Sequence, residues 1–144
     1  MKKLMFVKTN PNAFIPTKKH ATDSGMDLSS VEECVIEPHG VAFVHTGIGG
    51  VIPKGYELQV RPRSGLSSKG IICAFGTVDE GYRGEICAIL YNFTNEQYKI
   101  GIGDRIAQLV LSPVVHDVSI ETGSIDDLYE PTDRNADGFG STGV

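Results

Sequence analysis

The densest cationic stretch of the chain is RPRSGLSSKG at residues 61–70. It brings guanidinium groups, hydroxyl groups and backbone N–H groups beside glycine together, directly after a segment of alternating apolar residues. These are the groups that bind phosphate oxygens. The same composition is typical of a solvated edge turn whose arginines pair with surface carboxylates. The residue types favour the two interpretations about equally.

A second stretch of phosphate-binding composition is GFGSTG at residues 138–143. Phe139 offers an aromatic ring for stacking on a base, and Arg134 adds a cationic group upstream. Short Gly/Ser/Thr stretches are common in tails that bury little, so composition alone favours an unstructured end. A flap that closes over a ligand is the alternative.

Two carboxylates are candidates for chemistry on such a ligand. Asp79 lies in the turn signal DEG between apolar segments, where it can orient a water as a general base or cap the turn. Asp27 lies in a polar stretch after Gly25. Mg²⁺ usually binds one or two carboxylates with waters and substrate phosphates. For each residue taken alone, an ordinary turn or solvated carboxylate is the commoner role. The four histidines show no metal-binding spacing.

Alternation with period two predicts that strands position these groups. In residues 55–61 (GYELQVR), the apolar side chains share one face and the polar side chains the other. Residues 86–91 and 106–111 are nearly continuous apolar runs, for which we expect strands covered on both faces. A short helical turn is expected after Gly65. Weaker alternation marks residues 3–8, 31–37 and 40–45.

Glycine and proline interrupt the chain often, with 17 Gly and 7 Pro in 144 residues. Because helices average about 11 residues, breakers at this density disfavour a helical bundle. We expect residues 8–24 to form a long loop, and Asp104 and Arg105 to pair with each other. Turn signals occur at residues 38–40, 49–50, 53–55, 79–81 and 101–103. The sequence therefore predicts one all-β domain.

The net charge of −5, from 13 Lys+Arg against 18 Asp+Glu, disfavours a nucleic-acid partner, which usually requires a basic face. The apolar run at residues 4–7 is too short for a signal peptide, and no stretch approaches the roughly 18 apolar residues of a membrane span. Three cysteines suit a reducing compartment. We expect a cytoplasmic protein without a membrane partner. Cys73 and Cys87 lie in apolar runs and are expected to be buried, unreactive thiols.

Taken in order, these segments resemble the five motifs of the trimeric dUTPase family. RPRSG, TVDEGYRGE, GDRIAQLV and GFGSTG are highly specific as a set. The resemblance implies a jelly-roll-like β-barrel or sandwich that forms a homotrimer, with three active sites shared between subunits. It also implies a β core at residues 1–133 and a flexible, substrate-closing arm at residues 134–144. The five motif stretches are residues 21–28, 61–65, 76–85, 103–110 and 134–143.

The resemblance implies hydrolysis of dUTP to dUMP and pyrophosphate with Mg²⁺, which keeps uracil out of DNA and supplies dUMP for thymidylate synthesis. Asp79 would hold the water that attacks the α-phosphorus. Tyr82 would pack under the deoxyribose and reject a 2′-hydroxyl. Asp27 would reach Mg²⁺ through waters. The other substrate-binding residues that the resemblance implies are Arg63, Ser64, Gly65, Gly76, Thr77, Val78, Cys87, Gln108, Arg134, Phe139, Gly140, Ser141 and Thr142.

Each of these groups has an implied partner on the substrate. The backbone of residues 76–79 and near Cys87 would pair with uracil and exclude the thymine methyl group. Residues 63–65 and Gln108 would contact phosphates, while Phe139 would stack on uracil and the rest of the arm would close on the β- and γ-phosphates. The chain departs from the family pattern at Cys73, where asparagine is frequent, and at residues 135–137, which replace a more glycine-rich spacer.

Two other functions fit parts of this sequence. A dCTP deaminase, or a bifunctional deaminase–diphosphatase of the same fold, needs a catalytic glutamate where Asp79 stands beside Glu80. A nucleotide-sensing regulatory module would keep the fold without turnover. Some family members bind regulatory proteins, and the sequence does not identify such a partner. The complete set of chemical residues favours the hydrolase.

Overall fold

The computed structural model describes residues 1–129, 131–141 and 143. Within these residues the chain is nearly all β, which confirms the predicted fold class. Its helical segments are the one-turn helix α1 (Ser64–Ser67) and a 3₁₀ turn at Ile125–Leu128. The strands are β1 (Met5–Lys8), β2 (Gly25–Ser29), β3 (Cys34–Ile36), β4 (Val41–Val44), β5 (Ile48–Val51), β6 (Tyr56–Arg61), β7 (Ile71–Cys73), β8 (Gly76–Val78), β9 (Ala88–Asn92), β10 (Tyr98–Ile100) and β11 (Arg105–Pro113).

The strands pair in four antiparallel sheets around one hydrophobic core. The largest sheet has the order β2-β11-β6-β8, and a three-stranded sheet has the order β4-β9-β7. β1 pairs with β5, and β3 pairs with β10. β11 is the longest strand and pairs with β2 on one side and β6 on the other, with an irregularity between Arg105 and Ala107. Every pair is antiparallel, and each joins two strands that are not consecutive in the chain, so the sheets are held together by contacts between distant segments.

The alternation in β6 is confirmed. Leu58 and Val60 are buried in the core, and Tyr56 packs against it on the same face. On the opposite face, the side chain of Gln59 donates to Glu57 at 2.7 Å and accepts from Arg61 Nε at 2.9 Å. A period of two thus separates an apolar face from a hydrogen-bonded polar ladder.

The expectation that residues 86–91 are covered on both faces is wrong for the single chain. In β9 the side chains of Ala88, Leu90 and Asn92 are buried, whereas Ile89 and Tyr91 are 40% and 41% exposed. Neighbouring strands expose apolar side chains on the same side. We call this surface the apolar sheet face, formed by Val41, Phe43, Ile72, Ile89 and Tyr91. By contrast, no residue from 106 to 111 in β11 is exposed.

Most predicted turns are confirmed, including Gly40 N–H to Glu37 O and Tyr56 N–H to Pro53 O. The turn predicted at residues 49–50 is wrong, because both glycines lie inside β5. The backbone of Gly49 forms an isolated bridge with Glu85, and a Cβ at Gly49 would lie 3.4 Å from Gly84 O. Glycine therefore marks a close approach of two backbones here rather than a turn.

The predicted loop at residues 8–24 is confirmed beyond the end of β1. It is described as turns and bends, apart from one isolated bridge between Thr17 and Asp27. Ala13 is buried in the core and holds the loop against the sheets. Among the described residues, no helix has the length and apolar character needed to cross a membrane.

The chain leaves the sheets at Pro113, where β11 ends. From Val115 to Tyr129 every residue is exposed. Near the start of this stretch, His116 Nε2 lies 3.6 Å from Glu80 Oε2, and the same carboxylate oxygen accepts from Gly55 N–H at 2.7 Å. The exit of the chain thus lies beside the turn that carries Asp79. The division of the chain into a β core at residues 1–133 and an arm at residues 134–144 stays a prediction.

Candidate active site

A cavity of about 300 Å³ lies at the end of β8 and beside the segment that leads into β9. We call it the hairpin cavity. Phe43 of the apolar sheet face borders it, as does Glu85. The predicted site residues that line it are Gly76, Thr77, Val78, Asp79, Tyr82 and Cys87. These residues are therefore brought together as expected.

The turn after β8 presents Asp79 and Tyr82 side by side. The backbone N–H of Tyr82 donates to Asp79 O at 3.0 Å and closes the turn. The phenol group of Tyr82 donates to Glu85 O at 2.8 Å, which fixes the ring across the turn. A Cβ at Gly84 would overlap this phenol group. Glycine at this position therefore leaves room for the Tyr82 ring.

The carboxylate of Glu85 joins this turn to the core. Its Oε1 accepts from Thr46 N–H at 3.0 Å and Gly47 N–H at 2.7 Å, and its Oε2 lies 3.1 Å from His45 Nδ1. Burial alone would raise the pKa of Glu85, but these hydrogen bonds outweigh burial and hold the pKa below its ordinary value. The hydrogen bond to Glu85 is also the main reason that the pKa of His45 is raised.

The two cysteines predicted to be buried differ. Cys73 is buried in the core, whereas Cys87 is only half-buried and faces the hairpin cavity. Burial raises the pKa of both thiols to about 11, with the negative charges of Glu85 and Glu32 adding to the effect at Cys87. Both thiols are therefore protonated at neutral pH, as expected for unreactive cysteines.

A second group of predicted site residues meets where β6 runs into α1. Asp27 Oδ1 lies 3.0 Å from Arg63 Nε, and Asp27 Oδ2 lies 3.3 Å from Arg105 Nη1. Gln108 is paired with Asp27 in the sheet and donates to Pro62 O at 2.8 Å. We call Asp27, Arg63, Arg105 and Gln108 the cationic cluster. Asp27 lies in β2 and not in a loop, so its position is set by the sheet.

Arg105 is a residue of this cluster that the sequence reasoning missed. The predicted pair between Asp104 and Arg105 is wrong. The Asp104 carboxylate accepts from Gly101 N–H at 2.8 Å and closes its own turn, while Arg105 reaches Asp27. Because these partners are 78 positions apart in the sequence, local spacing carries no signal for the contact. Arg63 shows the carboxylate pairing of one of the two interpretations of RPRSG, and the choice between that interpretation and phosphate binding stays open.

The remaining predicted residues belong to neither group, although Ser64 and Gly65 directly follow Arg63 in the chain. Ser64 and Gly65 are the exposed first residues of α1, where backbone N–H groups have no acceptor within the helix. Arg134, Phe139, Gly140 and Ser141 line a cavity of about 450 Å³ formed by the tail itself, and Phe139 is fully exposed. Thr142 lies outside the described residues.

Within one chain, Asp79 and the cationic cluster lie at opposite ends of the β6–β8 pair. Leu58 pairs with Val78 and Val60 with Gly76, so Asp79 follows β8 at the end where β6 begins. Arg63 follows β6 at the other end. At about 3.3 Å per residue, the strand between these levels is on the order of 15–20 Å long. One chain alone does not bring Asp79 to the cationic cluster.

A carboxylate at a cavity and a separate pair of arginines are the groups that an all-β nucleotide hydrolase needs for general base catalysis and for phosphate binding. The comparison with known families is specific. The chain belongs to the dUTPase family, whose model matches residues 11–143. This confirms the family resemblance read from the motifs and the prediction that the chain is an enzyme of the dUTPase type.

Curated relatives match nearly the whole chain. A deoxyuridine 5'-triphosphate nucleotidohydrolase of Clostridium novyi (strain NT) is 46% identical over 145 residues, covering 99% of each chain. The enzyme of the same name from Helicobacter pylori (strain J99) is 45% identical, covering 99% of this chain and 97% of its own.

Solved structures share the fold. A mutant dUTPase of Staphylococcus bacteriophage 80alpha, solved with dUpNHpp, superposes with a TM-score of 0.87 at 28% identity over 100% of both chains. A mutant dUTPase of phage phi11 of S. aureus, described with a structural Mg(II) ion, has a TM-score of 0.79 at 28% identity, covering 86% of this chain and 99% of its own.

Proposed function

We propose that this chain hydrolyses dUTP to dUMP and pyrophosphate, and thereby keeps uracil out of DNA and supplies dUMP for thymidylate synthesis. The observation that carries the proposal is the hairpin cavity, which places Asp79 and Tyr82 on one wall. Its volume of about 300 Å³ suits a small ligand. The relatives named deoxyuridine 5'-triphosphate nucleotidohydrolase and the dUpNHpp bound to the phage 80alpha enzyme support the same substrate.

Asp79 is the proposed general base. Its side chain is exposed at the cavity, so it can accept a proton from a water that attacks the α-phosphorus. Pyrophosphate then leaves with the bridging oxygen. Tyr82, held by its hydrogen bond to Glu85 O, would lie under the deoxyribose and leave no room for a 2′-hydroxyl.

The base is proposed to pair with the backbone around the cavity. β8 is an edge strand of its sheet, and an edge strand presents N–H and C=O groups that can pair with another polar edge. Gly76, Thr77 and Val78 would bind the polar edge of uracil together with the backbone near Cys87. Because these segments lie close together around a small cavity, a thymine methyl group would be excluded.

The cationic cluster is the proposed phosphate site. Arg63 and Arg105 both contact Asp27, which keeps the two guanidinium groups close together. A triphosphate carries more charge than one carboxylate, so it can draw both arginines from Asp27. Ser64 and Gly65 would add a hydroxyl and backbone N–H groups. Gln108 would add its side-chain amide.

The residues present also fit a Mg²⁺ ion bound through water. The Asp27 side chain is 27% exposed, and one carboxylate combined with waters and substrate phosphates is a usual donor set for Mg²⁺. When bound, Mg²⁺ supplies positive charge that stabilises the phosphate oxygens. We propose it as the cofactor, in agreement with the description of the phi11 enzyme as holding a structural Mg(II) ion.

We further propose that the working enzyme is a homotrimer with three shared sites. The apolar sheet face joins five exposed apolar side chains on three paired strands, whereas exposed apolar residues on a monomer are usually scattered singly. Phe43 belongs both to this face and to the hairpin cavity, so a neighbouring subunit packed there would also reach the cavity. Asp79 does not reach the cationic cluster of its own chain. A second chain packed on this face can supply its cationic cluster instead.

A third chain is proposed to contribute residues 134–144 as an arm that closes over the nucleotide, leaving residues 1–133 as the core domain. Phe139 is fully exposed and is available to stack on uracil. Arg134, Gly140, Ser141 and Thr142 would close on the β- and γ-phosphates. We place the enzyme in the cytoplasm, since all three of its cysteines are free thiols.

Asp79→Asn is expected to bind dUTP while hydrolysing it at least 10²-fold more slowly, because a positioned general base contributes about 10²–10⁴-fold. The matched control is Asp117→Asn, which changes an exposed carboxylate outside the cavity. The measurement is pyrophosphate release with Mg²⁺ from dUTP, UTP, dCTP and dTTP, with ammonia release recorded in parallel. Undiminished hydrolysis by Asp79→Asn would contradict the mechanism.

The same assay on the wild-type chain separates the alternative functions. Ammonia from dCTP would indicate the deaminase, and binding of dUTP without any release of pyrophosphate would indicate a nucleotide-sensing module.

Gly84→Ala is expected to displace the Tyr82 ring, since the added Cβ overlaps the phenol group. The ratio of kcat/KM for dUTP over UTP should fall by at least about tenfold, because a displaced ring no longer fills the space of a 2′-hydroxyl. Gly81→Ala is the control, with nothing within 4 Å of its Cβ. An unchanged ratio in Gly84→Ala would show that Tyr82 does not select the sugar.

Ile89→Lys places a charge on β9, the central strand of the apolar sheet face, and is expected to dissociate the trimer. Activity should fall with it, since shared sites require the assembly. Sedimentation velocity at several protein concentrations measures the oligomer, and Val35→Lys is the control at an exposed apolar position outside that face. A trimer that persists in Ile89→Lys would reject this surface as the interface.

Truncation after Asp133 is expected to leave a folded trimer that hydrolyses dUTP at least about 10²-fold more slowly, because closing segments exclude water and complete the site. Circular dichroism and sedimentation check that the fold and assembly are kept. Full activity of the truncated chain would disprove the closing role of the arm.

A further inference from the structure

Three side chains with metal-binding atoms meet beside the hairpin cavity, and the proposed hydrolysis does not use their metal-binding atoms. His45 Nδ1 lies 3.1 Å from Glu85 Oε2 and 3.7 Å from Cys87 Sγ. All three ligand atoms lie within 4.8 Å of one another. The set joins an imidazole, a carboxylate and a thiol, which is a combination of nitrogen, oxygen and sulfur donors.

The sheet register explains why these residues converge although they are far apart in sequence. Val44, the last residue of β4, pairs with Ala88, the first residue of β9. His45, one residue after β4, therefore faces Cys87, one residue before β9. Glu85 lies two positions before Cys87, in the segment that bridges to Gly49. Residues two apart in an extended segment project to the same side, and residues facing each other across two strands are close neighbours.

We propose that His45 Nδ1, Glu85 Oε2 and Cys87 Sγ bind one Zn²⁺ ion, and that the Cys87 thiol releases its proton to solvent as its sulfur binds the metal. Zinc takes cysteine sulfur at about 2.3 Å, histidine nitrogen at about 2.0–2.1 Å and carboxylate oxygen at about 2.0–2.2 Å, in tetrahedral geometry. These bond lengths place neighbouring ligand atoms about 3.4–3.6 Å apart. The distances from His45 Nδ1 to the other two ligand atoms, 3.1 and 3.7 Å, are close to these separations. Three protein ligands leave the fourth position for water.

The surroundings of the cluster favour a soft dication. Glu85 Oε1 is held by the backbone N–H groups of Thr46 and Gly47, which leaves Oε2 turned towards the other two ligands. The Glu32 carboxylate accepts from His45 N–H at 3.0 Å and adds a second negative charge nearby. Mg²⁺ prefers an all-oxygen set, so the thiol separates this site from the one at Asp27.

The cluster is also accessible to a metal ion in solution. In the single chain the His45 side chain is 49% exposed, and Glu85 and Cys87 line the hairpin cavity. Any opening that admits a nucleotide to this cavity therefore admits a hydrated ion. A metal bound at the cluster would hold the segment that carries Glu85 and Cys87 in one position beside the cavity.

The test uses the full chain, freed of metal by dialysis against a chelator and then titrated with Co²⁺ in the presence of excess Mg²⁺. Cobalt occupies zinc sites and, when a thiolate is a ligand, shows an intense charge-transfer absorption in the near ultraviolet. We expect this absorption to saturate at one Co²⁺ per chain and to disappear when Zn²⁺ is added. Cys87→Ser should lack it. Cys34→Ser, which changes a half-buried thiol outside the cluster, should retain it.

His45→Ala provides a second variant in case Cys87→Ser alters the fold, which circular dichroism will check for both. Loss of a single outer-shell partner usually costs 10–100-fold in metal affinity, so loss of this direct ligand should weaken cobalt binding by more than about tenfold. No charge-transfer absorption in the wild-type chain would overturn the proposal. It would equally be overturned by absorption that persists in Cys87→Ser, disappears in Cys34→Ser, or forms with unchanged affinity in His45→Ala.

Discussion

The register of β11 is the constraint on which the arrangement of the candidate site most depends. Gln108 of this strand is paired with Asp27 on one side and with Arg61 on the other. A slip by one residue would turn Gln108 inwards and the buried Leu109 outwards, because side chains alternate between the two faces. The burial of Ala107 and Leu109 therefore also sets the place of the polar residues between β2 and β6. The packing of the core and the position of the cationic cluster therefore both follow from the register of β11.

Electrostatics divides the candidate site into two parts of different character. At the cationic cluster, one carboxylate holds two guanidinium groups, in partly exposed positions where such pairs contribute little to stability. Their value lies in keeping two positive charges close together before an anion arrives. At the hairpin cavity the fixed charge is Glu85, which backbone N–H groups hold in place. The arginines of the cationic cluster can exchange Asp27 for a phosphate, whereas Glu85 keeps one wall of the hairpin cavity rigid.

Local patterns in the sequence predict what depends on neighbouring residues. The alternation of residues 55–61 predicts β6, and the motif order predicts the family. What depends on distant pairing is not predicted. The contact between Arg105 and Asp27 spans 78 positions, and the approach of His45 to Cys87 spans 42. The apolar run before residue 92 predicts burial on both sides, but a single chain covers only one. A continuous apolar run does not reveal whether its cover comes from the same chain.

The exit of the chain from the sheets at Pro113 has a consequence for the arm. Residues 114–133 form a tether with a contour length of up to about 70 Å before Arg134. Within an assembled trimer of the kind proposed above, the aromatic side chain of a closing arm is therefore supplied at an effective concentration set by the tether. That concentration falls only as about the −3/2 power of tether length. Insertions of a few residues in this stretch would change closure gradually, so its length can vary over evolution more freely than that of any strand.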